Sequence, residues 1–264
     1  MNPWDPALYR SFEQERTRPA AELLARVPLA QARCVVDLGC GPGNSTELLL
    51  QRFGKARLLL GLDSSTQMLA SARARLPQER FANVQFVQGD IATWVPDEPP
   101  ELIFANASLH WVPEHACLLP RLFAALAPGG VLAVQMPDNL AEPSHQAMRE
   151  LAAQAPWQAT IAQPEAARTL LLTAAAYYDL LAPQAQSVDV WHTIYQHPMA
   201  SPAAIVQWLQ GSGLRPFVQA LPADLRASYL SAYEQRIAKL YPARSDGSRL
   251  LAYPRLFLVA RRPS

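Results

Sequence analysis

The sequence predicts an α/β fold built around a mostly parallel β-sheet, and three observations support this. Short β-rich runs alternate with helix-like segments through the first half of the chain. A glycine-rich stretch, VVDLGCGPGNST at positions 35–46, joins the first of these runs to a helix, and an acidic residue lies in or just after each of the first three runs. Strands that alternate with helices of this length form βαβ units, whose strands run parallel.

The first half contains five predicted strands and three predicted helices. The strands lie at 34–38, 58–63, 84–90, 102–107 and 130–137, and the helices at 43–53, 65–76 and 114–127. Either Ser64 or Ser65 suits the N-cap of the second helix, because a serine hydroxyl accepts a hydrogen bond from an N–H of the first turn. The APGG turn at 127–130 ends the third helix before the next strand.

The pattern changes after Pro137. Residues 142–182 are predicted to be mostly helical, 187–197 a strand, 202–240 two or more helices and 251–262 a final strand. We interpret residues 1–30 as an N-terminal helical lid and residues 31–264 as one domain. In this interpretation, helical cap insertions occupy about 138–185 and 198–248 of that domain.

Composition excludes several classes of function. The 264 residues carry a net charge of only +1, and neither half is strongly basic, so a nucleic-acid partner is not expected. No apolar run reaches the roughly 20 residues of a membrane helix, so no membrane partner is expected either. Cys34, Cys40 and Cys117 show no metal-binding spacing, so we expect no metal site and a reduced, cytoplasmic protein.

The glycine-rich stretch suggests a ligand that approaches the backbone closely. Gly39, Gly41 and Gly43 follow a strand and open a helix, a place where N–H groups can face a phosphate or a carboxylate. The dinucleotide fingerprint G-x-G-x-x-G is missed, because position 44 is Asn44. No Gly-Lys-Ser/Thr follows, which also excludes a P-loop.

Three carboxylates accompany the first three strands, which predicts that they meet at one edge of the sheet. They are Asp37, Asp63 and Asp90. An acidic residue at the end of the second strand, about 20 residues after the glycines, is placed to accept hydrogen bonds from ribose hydroxyls. Asp90 is available for an adenine amino group. Together the three residues favour a nucleoside ligand with an amino-acid or phosphate end.

Four motifs in order, VVDLGCGPGNST, GLDSSTQML, VQGDIATW and LAPGGVLAVQMP, resemble the class I S-adenosylmethionine-dependent methyltransferases. The resemblance implies S-adenosylmethionine as cofactor and a Rossmann-like, seven-stranded sheet whose last strand is antiparallel. It places Gly39, Gly41 and Gly43 against the methionine part, Asp63 on the ribose, and Asp90 with Ile91 beside the adenine. The other candidate cofactor-binding residues are Asp37, Ser64, Met68 and Asn106.

Further segments, including LIFANASLHWVP, GLRPF and YPRLFLVARR, resemble the trans-aconitate 2-methyltransferases nearly from end to end. That family methylates one carboxylate of the tricarboxylate trans-aconitate to give a methyl ester. The resemblance is weakest around residues 155–175. The alternatives are a methyltransferase acting on another di- or tricarboxylate, or on a hydroxyl or carbon acceptor. Which carboxylate is methylated, and the oligomeric state, stay open.

A carboxylate acceptor sets distinct demands on the site. It is already deprotonated near pH 7, because ordinary carboxyl pKa values are about 4, so no catalytic base is expected. His110 would act as a base only for a hydroxyl acceptor; otherwise His110 and Trp111 pack beside the acceptor.

Arginine forks suit carboxylates, and the chain has 21 arginines and two lysines. Most of these arginines are expected at the surface. The candidate substrate-binding residues are Arg215, Arg255 and Arg18, together with Trp111, while Arg16 lies beside Arg18 in the N-terminal helix.

Overall fold

The computed structural model describes residues 13–161 and 169–264. The strands are β1 (Cys34–Leu38), β2 (Leu58–Asp63), β3 (Val84–Gln88), β4 (Leu102–Asn106), β5 (Val131–Pro137), β6 (Ser187–Met199) and β7 (Arg249–Arg261). The α-helices are α1 (Glu13–Ala25), α2 (Asn44–Phe53), α3 (Thr66–Arg75), α4 (His115–Ala124), α5 (Pro143–Ala152), α6 (Ala174–Leu181), α7 (Pro202–Gln210), α8 (Arg215–Ala220) and α9 (Ala223–Leu240). Short 3₁₀ turns occupy Leu109–Trp111 and Trp157–Ala159.

The seven strands form one sheet in the order β3-β2-β1-β4-β5-β7-β6. Strands β1 to β5 are parallel; Val35 of β1, for example, pairs with Leu59 of β2 on one side and Leu102 of β4 on the other. The last strand is antiparallel. The predicted α/β class, with a seven-stranded sheet and an antiparallel last strand, is therefore confirmed.

The chain divides into two compact units, and it passes from one to the other within β6 and β7. What we call the sheet unit comprises residues 14–137, 169–193 and 256–264. Its core follows from the sequence: every residue of β1 and of β5 is buried, as expected for central strands covered on both faces.

The other unit, which we call the helical unit, comprises residues 138–161 and 194–255 of the described chain. Its core is rich in aromatic rings, and two fully buried tyrosines of α9 anchor α5. The hydroxyl of Tyr229 donates to the carbonyl of Met148 at 2.8 Å, and that of Tyr233 donates to the carbonyl of Ser144 at 3.0 Å. The interpretation of 138–185 and 198–248 as cap insertions on a single domain stays a prediction.

Two local differences from the sequence expectation matter for the site. The predicted helical stretch 142–182 is interrupted: α5 ends at Ala152, and residues 160–161 and 169–173 are not helical, before α6 begins at Ala174. In addition, β3 ends at Gln88, so Asp90 lies in the loop after the strand rather than at its last position.

Candidate active site

The loop between β1 and α2 requires its glycines. Gly39, Gly41 and Gly43 all have positive φ angles, of 72°, 54° and 91°, which other residues adopt only with strain. Space adds a second constraint at Gly39, because a Cβ there would lie 2.3 Å from the Cβ of Ser108. The loop therefore runs closely past the end of β4.

The N–H groups of this loop are largely used within the protein. Those of Gly39 and Cys40 both donate to the carbonyl of Leu62, at 2.7 and 3.0 Å, and that of Gly43 donates to the carbonyl of Cys40 at 3.0 Å. The expectation that the N–H groups of this loop face a phosphate or a carboxylate of the ligand is therefore wrong for these residues. What the glycines provide here is a backbone surface without side chains, which allows close approach.

Asp37 lies fully buried near the end of β1. Its Oδ2 accepts hydrogen bonds from the hydroxyls of Ser45 (2.7 Å) and Thr46 (2.6 Å), at the start of α2. Its Oδ1 is also buried and has no hydrogen-bond partner among the described residues. Burial raises the pKa of this carboxyl to about 6, although the two hydroxyls oppose the shift. A buried carboxylate oxygen of this kind fits a cationic ligand group.

Asp63, the last residue of β2, connects the glycine loop to α3. Its Oδ2 accepts from the N–H of Gly41 at 2.9 Å and its Oδ1 from the N–H of Ser65 at 2.8 Å. Ser65 is the N-cap of α3, and its hydroxyl accepts from the N–H of Met68 at 3.3 Å. Ser64 is exposed beside it. Each carboxylate oxygen has a further lone pair, so Asp63 can also accept from ligand hydroxyls.

The loop after β3 carries Asp90 and Ile91. Oδ1 of Asp90 accepts from the N–H of Ala92 at 2.8 Å, and the buried Ile91 lies near the glycine loop, 3.5 Å from where a Cβ at Gly39 would be. Arg121 of α4 holds this loop: its guanidinium donates to the carbonyls of Ile91 (2.8 Å) and Ala92 (3.0 Å), and also to that of Trp94. No local sequence pattern indicates this role, because Arg121 lies about 30 residues after the loop in the chain.

The end of β4 completes this edge of the sheet unit. The buried Oδ1 of Asn106 has no hydrogen-bond partner among the described residues. Ala107 has a φ of 53°, and the hydroxyl of Ser108 donates to the carbonyl of Leu38 at 2.6 Å. The imidazole of His110 is buried, whereas Trp111 is 44% exposed; their rings lie 4.8 Å apart.

All ten candidate cofactor residues thus lie in the sheet unit: nine are at the carboxyl ends of β1 to β4 or in the loops that follow, and Met68 is in the first turn of α3. A hydrogen bond joins Gly41 to Asp63, and the side chain of Ile91 lies close to Gly39. Ser45, Thr46 and Arg121 also support this edge, although sequence reasoning did not select them. Ser45 and Thr46 lie two and three residues after Gly43, and this position is the sequence signal by which they could have been found.

The candidate arginines lie in different surroundings. Arg18 of the sheet unit is 64% exposed and donates to Glu22 at 2.7 Å, while the side chain of Arg16 lies outside the described residues. In the helical unit, Arg215 begins α8 and is half-buried. Arg255 is only 4% exposed, and its guanidinium carbon lies 5.0 Å from the ring centre of Tyr253.

Within 13–161 and 169–264, no group of three or more His, Cys, Asp or Glu side chains is arranged to hold a metal ion. No helix in the same ranges is both long and apolar enough to cross a membrane.

Comparisons with solved structures agree with the fold. The YcgJ protein of Bacillus subtilis aligns with a TM-score of 0.59 at 14% identity, covering 95% of this chain and 99% of that one. A SAM-dependent methyltransferase from Thiobacillus denitrificans, solved with S-adenosyl-L-homocysteine, aligns with a TM-score of 0.53 at 19% identity, covering 99% and 93%.

Sequence comparisons identify the family. A family model described as a methyltransferase domain matches residues 35–130. The trans-aconitate 2-methyltransferase of Variovorax paradoxus (strain S110) is 64% identical over 263 residues, 99% of both chains. Those of Methylobacterium radiotolerans and Yersinia pestis (strain Pestoides F) are 60% identical over 100% of both chains and 54% identical over 98% of both. The chain therefore belongs to the trans-aconitate 2-methyltransferase family.

Proposed function

We propose that the protein transfers a methyl group from S-adenosylmethionine to a carboxylate of trans-aconitate, giving the monomethyl ester. The observation that carries this proposal is the likeness of 54–64% identity, over nearly the full length, to relatives that bear this name. The geometry of the sheet unit supports it, because its carboxylates and glycines suit a nucleoside with an amino-acid end.

The residues present fit S-adenosylmethionine at three points. The buried Oδ1 of Asp37 suits the ammonium of the methionine part, and the side-chain-free loop at Gly39 and Gly41 allows that part to lie against the backbone. Asp63 retains lone pairs for the ribose hydroxyls. Asp90 and Ile91 offer a carboxylate and an apolar surface for the adenine.

The cofactor supplies a methyl group activated by a sulfonium, and in-line attack by a carboxylate oxygen forms the ester as the carbon–sulfur bond breaks. The protein then has to orient two reactants, and orientation can contribute about 7–11 kcal/mol to lowering such a barrier. No proton has to be removed from a carboxylate near pH 7, so we assign no base. In this proposal, the buried His110 and the partly exposed Trp111 would pack on the acceptor side.

Cationic side chains would hold the substrate's carboxylates. Arg255 is the strongest candidate, because its guanidinium is buried and held beside the rings of Tyr253 and Tyr195, at 5.0 and 6.0 Å. A planar fork fixed in this way suits bidentate binding of a carboxylate. Arg215 is a second candidate. Arg18 is a weaker one, since it is mostly exposed and paired with Glu22.

Turnover with purified protein tests the proposal. We expect S-adenosylhomocysteine release on addition of trans-aconitate, together with a product that is one methyl group heavier. Mild alkali should return that product to trans-aconitate and methanol, because only an ester hydrolyses under these conditions. A product stable to alkali would show a hydroxyl or carbon acceptor, and turnover with other di- or tricarboxylates but not with trans-aconitate would reassign the substrate.

A further inference from the structure

Thr169 lies directly against the turn that carries His110 and Trp111. Its N–H donates to the carbonyl of His110 at 2.8 Å, and its hydroxyl donates to the carbonyl of Val112 at 2.7 Å. One residue therefore holds two points of the segment 109–112. Thr169 lies within the stretch 155–175 in which the family resemblance is weakest, and no functional role was predicted for it from the sequence.

A second contact holds the same segment from its other end. Nε2 of the buried His115 lies 2.9 Å from the carbonyl of Leu109, and its Nδ1 lies 2.5 Å from the hydroxyl of Tyr177. A carbonyl can only accept, so Nε2 carries the proton and, in the neutral ring, Nδ1 accepts from Tyr177. The N–H of Leu172 in turn donates to the Tyr177 hydroxyl at 3.3 Å. Residues 169–177 thus contact the segment 109–112 both directly and through His115.

This segment combines core packing at Leu109 and Val112 with a short, tightly wound backbone. It is a single 3₁₀ turn, closed by hydrogen bonds from the N–H of Trp111 to Ser108 and from that of Val112 to Leu109. Short 3₁₀ turns have poorer hydrogen-bond geometry than α-helices. Hydrogen bonds from outside the turn, such as those of Thr169, therefore contribute to how rigidly His110 and Trp111 are held.

We propose that Thr169, assisted by the His115–Tyr177 pair, is a positioning residue for the methyl acceptor: it fixes the 109–112 turn so that His110 and Trp111 hold one orientation. The proposal rests on the proposed function, in which this turn lies on the acceptor side. Ser108, by contrast, is held by its own bond to Leu38 beside the glycine loop. Loosening residues 109–112 should therefore impair the reaction with the methyl acceptor and leave cofactor binding largely unchanged.

The test compares Thr169→Val, which removes the hydroxyl at nearly constant shape, with Thr169→Ser, which keeps it. We expect Thr169→Val to lower kcat/KM for trans-aconitate about tenfold, since small misplacements of reactants are costly. The Kd for S-adenosylhomocysteine should stay within about twofold, and Thr169→Ser should restore most of the activity. The control is Asn83→Ala, because Asn83 directly precedes β3, at the amino ends of the parallel strands, and its side-chain amide donates to the carbonyls of Gly54 and Ala56 at 3.3 and 2.9 Å. It should lower Tm without changing kcat/KM.

Hydrogen exchange provides a readout that does not need the substrate. In Thr169→Val, the amides of Trp111 and Val112 should exchange faster, whereas in Asn83→Ala they should exchange as in the wild type. Wild-type kcat/KM in a folded Thr169→Val variant would overturn the proposal, and so would unchanged exchange. If the wild type itself does not methylate trans-aconitate, the proposed function fails, and the exchange data alone then decide whether Thr169 holds the turn.

Discussion

The N–H of Gly41 donates a hydrogen bond to Oδ2 of Asp63 at 2.9 Å. This bond joins the loop after β1 to the end of β2. Oδ1 of the same carboxylate accepts from the N–H of Ser65, at the start of α3. Asp63 therefore holds both the glycine loop and the start of α3, which flank the proposed ribose site. Asp63 therefore has two roles, one in shaping the loop and one in binding the cofactor.

Replacing Asp63 tests both roles. We expect Asp63→Ala to weaken S-adenosylmethionine binding by about 2–3 kcal/mol, because two ribose hydroxyls lose a charged acceptor. Asp63→Asn keeps the shape and one acceptor oxygen, so it should lose less. Calorimetric titration of both variants, with Tm recorded for each, measures the effect. Wild-type affinity in a folded Asp63→Ala variant would contradict the ribose assignment.

Asp37 should make the stability of the ligand-free protein depend on pH. Its pKa is raised to about 6 by burial, against about 3.9 in an unfolded chain. Below pH 4 both states hold the proton. As the pH rises to 6 only the unfolded state has lost it, so stability falls, by an amount on the order of 3 kcal/mol.

The free energy of unfolding of the variant Asp37→Asn, which cannot ionise at this position, should fall less than that of the wild type between pH 4 and pH 6. Its side-chain oxygen can still accept from Ser45 and Thr46. Urea unfolding at several pH values gives the difference between the two proteins. Parallel curves across this range would show that the carboxyl at position 37 does not titrate there.

The sequence predicted those features that depend on neighbouring residues. The five parallel strands were placed correctly in outline because each is a short β-rich run that a glycine or a charged residue precedes or follows. The edge where Asp37 and Asp63 lie follows from parallel topology. The loop contacts could not be predicted in this way: the N–H groups of Gly39 and Cys40 bond to Leu62, which is more than 20 residues away in the chain.

The partners of the arginines could not be predicted from the sequence either. Composition suggested that most are surface residues, but several cap backbone carbonyls at the ends of elements. Arg52 donates to the carbonyls of Val27 and Leu29, and Arg149 donates to that of Leu140. Such pairings depend on tertiary structure, so an arginine count alone cannot locate an anion site.

Arg121 should support cofactor affinity without contacting the cofactor. It donates to three carbonyls of the loop at 91–94. We expect Arg121→Ala to raise the Kd for S-adenosylmethionine about fivefold, equivalent to about 1 kcal/mol, the typical net contribution of a hydrogen bond. Arg262→Ala is the matched control, since Arg262 caps the carbonyls of Ala124 and Leu126. It should lower Tm and leave the Kd unchanged, and equal effects of the two variants on the Kd would contradict this role.

His110 should be dispensable as a base. If the acceptor is a carboxylate, His110→Asn should reduce kcat by less than about a hundredfold, the lower end of what a general base contributes. The shape of the pH–rate profile should be retained. A larger loss of kcat in a folded variant, with a changed profile, would favour a hydroxyl or carbon acceptor.

Arg255 and Arg215 carry the substrate assignment. Trans-aconitate is small and highly charged, so a site can hold it only by replacing water with fixed donors. Removing one partner of a buried charge pair costs about 2–5 kcal/mol, so Arg255→Ala and Arg215→Ala should each raise the KM for trans-aconitate at least about tenfold, with little change in the Kd for S-adenosylmethionine. Lysine at either position should restore the KM only partly, because a point charge does not reproduce the fork.

Arg236, exposed and paired with Glu150 at 2.8 Å, is the control in the same unit, and Arg236→Ala should keep the wild-type KM. If Arg255→Ala and Arg215→Ala also keep it, these two residues are structural and the carboxylates are bound elsewhere.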